Sequence, residues 1–178
     1  VGYQDLSPDV ESDRLFQAAN FLGVRGIMPP RKGTLDFGPY ELVSRREMAV
    51  AVARAYRTMA FAKPFANLSE PLFADIGAED PDRGYIESLC AWGVLEPGGE
   101  FRPDETADWP TLYAWLKGLG LNANEGLVAK NFRMEGGPEH LNKTQLWRWD
   151  LAVHLWWAIK DLPEFFPDEE SYLAKGSD

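Results

Sequence analysis

The chain has 178 residues, an apolar fraction of 45% and a net charge of −10. This length and composition predict one globular domain covering residues 1–178. A strongly acidic chain lacks the basic field that nonspecific nucleic-acid binding needs, so we expect no nucleic acid among its partners. No segment approaches the run of about 20 apolar residues that a membrane-spanning helix requires, so we expect no membrane span.

The charge is spread unevenly along the chain. Residues 1–63 carry nine Lys and Arg against seven acids, whereas residues 64–178 carry nine against 21. The two parts therefore have net charges of +2 and −12. An anionic ligand is expected to prefer the first third of the chain.

Several sequence landmarks occur twice in the same order. Each copy has an aromatic-x-Asp opening, a helical pattern, a Gly-Ile or Gly-Val pair, a Phe-x-Pro segment and a second helical pattern. The landmarks are Tyr3-Gln4-Asp5, Gly26-Ile27 and Phe37-Gly38-Pro39, then Phe73-Ala74-Asp75, Gly93-Val94 and Phe101-Arg102-Pro103. Chance rarely supplies such an ordered set, so the chain is predicted to contain a repeated helix–loop–helix unit.

The first helix of each unit has its own start and stop signals. In the first unit, Ser7-Pro8 or Ser12 can open a helix that ends near Gly23. In the second unit, Asp80-Pro81 is the predicted start, because an aspartate cap is often followed by proline. Gly93 is placed to end that helix with a positive φ.

The second helices have the clearest start signals. Ser44-Arg45-Arg46-Glu47 is a predicted capping box, in which Ser44 accepts from the N–H of Glu47 and Glu47 reaches back to Ser44. In the second unit, Asp108 is the predicted cap, Pro110 falls in the first turn and Gly120 is a plausible stop.

A third helix is predicted around residues 146–153, and Asn142-x-x-Gln145 offers an alternative, earlier start. Residues 122–144, before it, contain no convincing first helix. The fold class is therefore all-α, with three pseudo-repeated helix–loop–helix units around a central helical bundle. The units span about 3–63, 70–120 and 121–162, the third being remodelled, and an acidic tail at 163–178 either packs across the body or frays.

These landmarks resemble the S-layer homology (SLH) family. Its repeat has an aromatic-x-Asp opening, a helix ending in Gly-Ile or Gly-Val, a Phe-x-Pro segment and a Thr-Arg-Ala-Glu-like motif. That motif corresponds to Ser44-Arg45-Arg46-Glu47 in the first unit. The resemblance covers residues 3–61 and 73–119, and 141–162 only through the helix motif.

The resemblance implies a pseudo-threefold helical bundle that anchors a bacterial exoprotein to cell-wall polysaccharide. It also implies that the motif arginine contacts an anionic, pyruvylated sugar in a groove between units. Arg45 is that arginine in the first unit, and Arg148 in the third. The second unit departs from the pattern, since Asp108-Trp109-Pro110-Thr111 contains no arginine.

The predicted ligand-binding residues follow from these two motifs. Arginines can grip a carboxylate or ketal through the guanidinium fork, and tryptophans can stack on sugars or anchor protein interfaces. Trp157 is a further candidate for a contact surface. The predicted set is Arg45, Arg46, Glu47, Arg148, Trp147, Trp149 and Asp150, although Glu47 is also a plain cap and most tryptophans are expected in the core.

No pattern for catalysis, a metal or a cofactor is found. His140 and His154 lack a third ligand in any metal-site spacing, and there is no Gly-x-Ser-x-Gly. The only cysteine, Cys90, is expected to be a buried structural thiol. We therefore expect no enzyme activity, no catalytic or metal-ligating residues and no cofactor.

Two functions of different classes remain open. The first is a non-catalytic, SLH-like module of the bacterial envelope that binds cell-wall polysaccharide outside the cell or at its surface. The second is a protein–protein interaction subunit or accessory domain of a larger envelope or secreted assembly. The lost motif of the second unit and the tryptophan-rich third helix favour the second function.

Overall fold

The structure, a computed structural model, describes residues 3–6, 13–124 and 145–165. Within these residues the chain is all-helical, with isolated bridges but no sheet, so the predicted all-α class is confirmed. The five helices are α1 (Asp13–Val24), α2 (Arg45–Arg57), α3 (Arg83–Ala91), α4 (Trp109–Gly118) and α5 (Arg148–Ile159). None of the described helices is long and apolar enough to cross a membrane.

The helices α2 and α4 begin where their sequences predict. The Ser44 hydroxyl accepts a hydrogen bond of 3.1 Å from the Glu47 N–H, and the Asp108 carboxylate accepts one of 2.8 Å from the Thr111 N–H. These contacts satisfy amide groups that the first turn of a helix leaves without a partner. Only half of the predicted capping box forms at α2, because the Glu47 carboxylate turns towards two arginines, Arg31 and Arg148.

Two predicted helix starts are wrong. Helix α3 begins at Arg83, not after Asp80, whose carboxylate instead accepts from the Asp82 N–H at 2.9 Å and binds Arg46. Helix α5 begins at Arg148, within the predicted segment 146–153, so it is the alternative start at Asn142-x-x-Gln145 that is wrong. Gln145 lies in an isolated bridge with Asp108 instead of in a helical turn. The Asp80 carboxylate is used for a tertiary contact with Arg46, which the local sequence does not show.

Some predicted features fall on residues that the structure does not describe, and others are confirmed. Ser7, Pro8, Ser12 and Asn142 lie outside the described residues, as does most of the first half of the third unit.

The φ of Gly93 is +82° and that of Gly120 is +73°, as expected for residues that follow helix ends. Helix α1 ends at Val24, one residue beyond the predicted Gly23.

The aspartates of the two aromatic-x-Asp openings make the same contacts. Each carboxylate accepts from two consecutive backbone N–H groups of its Phe-x-Pro segment. The distances are 2.6 and 2.7 Å from Asp5 to Phe37 and Gly38, and 2.8 and 2.7 Å from Asp75 to Phe101 and Arg102. The aspartate therefore fixes the turn that leads into the second helix of its unit.

Three backbone segments meet in a closed ring of hydrogen bonds in the core. Val43 donates to Leu146 at 2.9 Å, Leu146 donates to Ala107 at 3.1 Å, and Ala107 donates to Val43 at 2.8 Å. All three residues are buried. Each stands just before the cap of α2, α4 or α5, so these three helices start from a common centre. The division of the chain into three units stays a prediction, because residues 125–144 are not described.

The remaining elements pack around this centre. Helix α1 lies against α5, and α3 lies against α2. The described start of the acidic tail lies across the end of α2, where Ala60 donates to Pro163 at 2.8 Å and Phe165 donates to Thr58 at 2.7 Å. Glu164 pairs there with Arg25 at 2.8 Å. The tail therefore packs on the body through residue 165.

The Asp75 contacts predict a measurable loss of stability in Asp75→Asn. Desolvation raises the pKa of this carboxyl, but the N–H groups of Phe101 and Arg102 outweigh it, and the pKa lies below its usual value. Asn keeps one acceptor oxygen but loses the other and the charge, so at this solvent-exposed position the free energy of unfolding should fall by about 1 kcal/mol at pH 7.

The effect should depend on pH in a defined direction. A lowered pKa contributes stability above the unfolded value near 3.9, and this contribution is lost as pH falls through the folded value. Urea titrations at pH 7 and below pH 4 should therefore show the difference between wild type and Asp75→Asn shrinking in acid. Glu79→Gln, at an exposed position, is the matched control. An equal difference at both pH values would contradict the assignment.

Candidate functional site

A cleft of about 290 Å³ lies between the loop after α1 and one side of α2. Ile27, Val50 and Ala51 contribute apolar wall to it. Five of its lining side chains are cationic and two are acidic: Arg31, Lys32, Arg46, Arg54 and Arg148, then Glu47 and Asp82. In a chain of net charge −10, this local excess of positive charge makes the cleft a candidate site for an anion.

Some of these cations are held by carboxylates. Arg46 forms a two-pronged pair with Asp80 at 2.6 and 2.9 Å and contacts Asp82 at 3.1 Å. The hydrogen bonds that Arg46 donates to the Asp80 carboxylate raise the pKa of Arg46, and they lower the pKa of Asp80. Arg31 pairs with Glu41 and Glu47. These pairs fix the guanidinium groups at the cleft wall.

Two lining cations, Lys32 and Arg54, have no ion pair with any carboxylate among the described residues. The Lys32 side chain is exposed to solvent. The guanidinium of Arg54 lies 5.0 Å above the ring of Tyr85, a contact that holds its position without cancelling its charge. These two groups are therefore the cations of the cleft most available to a ligand.

The two motif arginines make equivalent contacts in the structure. Arg45 Nε donates to the Phe101 carbonyl at 2.9 Å, and its guanidinium lies 4.9 Å from the ring of Phe101. Arg148 Nε donates to the Phe37 carbonyl at 2.6 Å, with its guanidinium 4.7 Å from the ring of Phe37. Each arginine thus joins the start of its helix to a Phe-x-Pro segment that is distant in the sequence.

The same contacts limit what the motif arginines can offer to a ligand. Arg148 lines the cleft, but it is only 4% exposed and also contacts Glu47 and the Pro29 carbonyl, the latter at 3.2 Å. Arg45 is half-buried and does not line the cleft. Of the predicted set, Arg46, Glu47 and Arg148 therefore come together at one site, and Arg45 lies elsewhere.

The other predicted residues surround the start of α5, beside Tyr40. Tyr40 is 50% exposed, and its ring lies 6.4 Å from Trp147 and 6.3 Å from Trp149. Trp149 is 4% exposed and offers little area to a partner, whereas Trp147 is half-buried. Asp150 accepts from the Trp147 N–H at 3.2 Å, and burial raises its pKa to about 7. Asp150 thus caps α5.

Three further residues considered in the sequence lie away from the cleft: Trp157, His154 and Cys90. Trp157 is half-buried, with Lys160 Nζ 4.7 Å from its ring. His154 is 2% exposed and packs edge-on against Trp109 at 4.4 Å. Cys90 is half-buried, not fully buried as expected, and desolvation raises its pKa to about 11. These surroundings favour neutral, structural forms of both groups.

No metal site is formed within the described ranges, where no cluster of three or more His, Cys, Asp or Glu is arranged to hold an ion. The cleft offers guanidinium and ammonium donors and an apolar wall. This combination can bind an anionic group against an uncharged ring.

Three residues of this cleft were not predicted from the sequence: Arg31, Lys32 and Arg54. Arg31 and Lys32 belong to the loop after α1, and Arg54 stands three turns along α2. The positive charge of residues 1–63 was the signal that pointed to them, but it could not select them from the nine cations of that segment.

No protein-family model matches the chain, and no curated protein matches it.

Proposed function

We propose that this protein is a non-catalytic binding module, similar to SLH domains, that attaches to an anionic polysaccharide of the bacterial cell wall. The observation that carries the proposal is the basic cleft at α2. It concentrates five cations in a chain that is otherwise strongly acidic, and two of them lack a carboxylate partner among the described residues. The protein would act at the cell surface or outside the cell.

The resemblance to the SLH family supplies the class of ligand. Its motif residues Ser44, Arg46 and Glu47 line the cleft. The motif arginine Arg45 serves to join α2 to the Phe101 segment. In this proposal Lys32 and Arg54 bind the ligand, together with the solvent-exposed guanidinium atoms of Arg31 and Arg46. Arg45 and Arg148 instead hold the Phe101 and Phe37 segments in place.

A second candidate is an interaction domain in a larger secreted assembly. The observation that favours it is exposed apolar area in the segment between α2 and α3. Phe61, Phe65 and Leu68 are 46%, 44% and 40% exposed there. A protein partner could cover this area. This candidate predicts a stable complex with a protein and no retention on wall material.

Retention on isolated cell walls distinguishes the two candidates. We expect the protein to sediment with Gram-positive sacculi that retain their secondary polysaccharide and to stay in solution with sacculi from which acid has removed it. The double variant Lys32→Gln/Arg54→Gln should bind at least about tenfold more weakly, because a hydrogen bond to a charged group contributes about 1.5–3 kcal/mol.

The control is Arg14→Gln/Lys117→Gln, which removes the same charge at exposed positions of α1 and α4. It should bind as wild type does. Equal retention on intact and stripped sacculi would overturn the proposed function. An equal loss in both double variants would show that net charge, and not the cleft, governs binding.

A further inference from the structure

The positive charge of the cleft continues along one face of α2. Arg46, Arg54 and Arg57 stand at spacings of eight and three residues, which places them within one side of the helix. At 1.5 Å per residue, the row from Arg46 to Arg57 is about 16 Å long. Lys63 extends it, because Arg57 Nη1 donates to the Lys63 carbonyl at 3.1 Å. We call Arg46, Arg54, Arg57 and Lys63 the α2 row.

Aromatic rings alternate with the arginines at the far end of this row. Arg54 lies over Tyr85 at 5.0 Å, and Arg57 lies over Phe65 at 5.4 Å. The two rings meet edge to face, with centroids 5.4 Å apart. Since Phe65 is 44% exposed, an aromatic surface accompanies the charges beyond the cleft.

The carboxylates gather at only one end of the α2 row. Asp80 and Asp82 both bind Arg46. Arg54, Arg57 and Lys63 have no ion pair with a carboxylate among the described residues. Arg57 is held by backbone carbonyls and a ring, neither of which neutralises it. The free charge of the row therefore begins at Arg54, which lines the cleft, and continues beyond the cleft through Arg57 and Lys63.

We propose that the ligand is an acidic polysaccharide bound as an extended chain, which enters the cleft and runs along the α2 row to Lys63 and Phe65. This inference rests on the proposed function and specifies its ligand as a polymer with repeated acidic groups, in place of a single terminal sugar. Charges spaced along a helix suit carboxylates spaced along a glycan. The rings of Tyr85 and Phe65 suit the apolar faces of sugar rings.

A nucleic acid fits this surface less well. Its phosphates are dense and need a wide basic field, whereas the α2 row is narrow and belongs to a chain of net charge −10.

Polygalacturonate can test the extended-chain proposal before the wall polysaccharide is identified. It supplies a carboxylate on every sugar and can be cut to graded lengths. Neutral dextran provides the uncharged comparison.

The experiment measures binding of galacturonate fragments of increasing length by calorimetry at low and moderate salt. We expect affinity to rise with length until the fragment spans the row, with a steeper salt dependence for long fragments than for a disaccharide. In Arg57→Gln/Lys63→Gln, the gain from disaccharide to long fragment should fall at least about tenfold, while disaccharide binding is unchanged.

Two comparisons keep the result decisive. Lys63→Glu alone, at an exposed position, tests the far end of the row without touching the contacts of Arg57, and Arg14→Gln/Lys117→Gln controls for net charge. Affinity that is independent of length, unaltered long-fragment binding in Lys63→Glu, or tighter binding of single-stranded DNA of matched charge would each overturn the extended-chain proposal. Retention on sacculi with any of these results would leave the proposed function intact.

Discussion

Replacing Arg148 with methionine is expected to lower the free energy of unfolding by about 3 kcal/mol, because its partners lose a buried cation. The guanidinium donates to the carbonyls of Phe37 and Pro29 and pairs with the Glu47 carboxylate. Methionine keeps the length and apolar volume of the stem, so the loss reports the polar contacts. The measurement is equilibrium unfolding in urea at pH 7.

Arg45→Met is the matched comparison. Arg45 makes the equivalent bond to the Phe101 carbonyl, but it is half-buried and has no carboxylate partner among the described residues. Its loss should be about 1 kcal/mol. If both arginine variants lost the same stability, the buried network around Arg148 would not be the cause.

The contacts of Arg148 show which features the sequence could predict and which it could not. The motif around residues 147–150 was found by its likeness to Ser44-Arg45-Arg46-Glu47, and a helix does begin at Arg148. The sequence could not show the direction of the side chain. An arginine at a helix start can face solvent or a neighbouring segment, and the neighbour, Phe37, lies 111 residues away in the chain.

The parts of the fold that the sequence predicted are those with local causes. Ser44 and Asp108 cap helices because their side chains reach amides three residues ahead. Asp80 failed as a cap because a tertiary partner, Arg46, takes its carboxylate. The ring of hydrogen bonds through Val43, Ala107 and Leu146 joins distant segments and has no local signature.

The candidate site was only partly predictable for the same reason. The basic segment pointed to residues 1–63, and Arg46 and Glu47 were named within it. Arg54 stands in the last turn of α2, where the sequence alone indicates only a solvated helix position. Its role depends on Tyr85, which a different helix supplies.

The second large effect is expected at Asp150, whose carboxyl lies at the first turn of α5. Burial raises its pKa to about 7, despite the opposing hydrogen bond from the Trp147 N–H. A raised pKa means that the folded state holds a proton that the unfolded chain has lost. The resulting stability is fully present below the unfolded value near 3.9 and disappears as pH rises through about 7.

Asp150→Asn should therefore stabilise the protein at alkaline pH and not in acid. The amide oxygen can accept the same bond from Trp147 without a buried charge. By linkage, the gain should approach about 4 kcal/mol at pH 8 and be close to zero at pH 4. Urea unfolding of both proteins at half-unit intervals between these pH values measures it, with Asp161→Asn, an exposed position just beyond α5, as control.

The comparison between the two proteins also removes the contribution of His154. Burial lowers the pKa of His154 to about 3. Its contribution to the free energy of unfolding therefore falls as pH drops below the unfolded pKa near 6.5. This slope opposes that of Asp150 between pH 4 and 6.5, and in wild type the two partly cancel. It is common to both proteins, so their difference isolates Asp150. A difference that stays constant from pH 4 to pH 8 would show that the Asp150 carboxyl is charged throughout, and the buried, protonated state would be wrong.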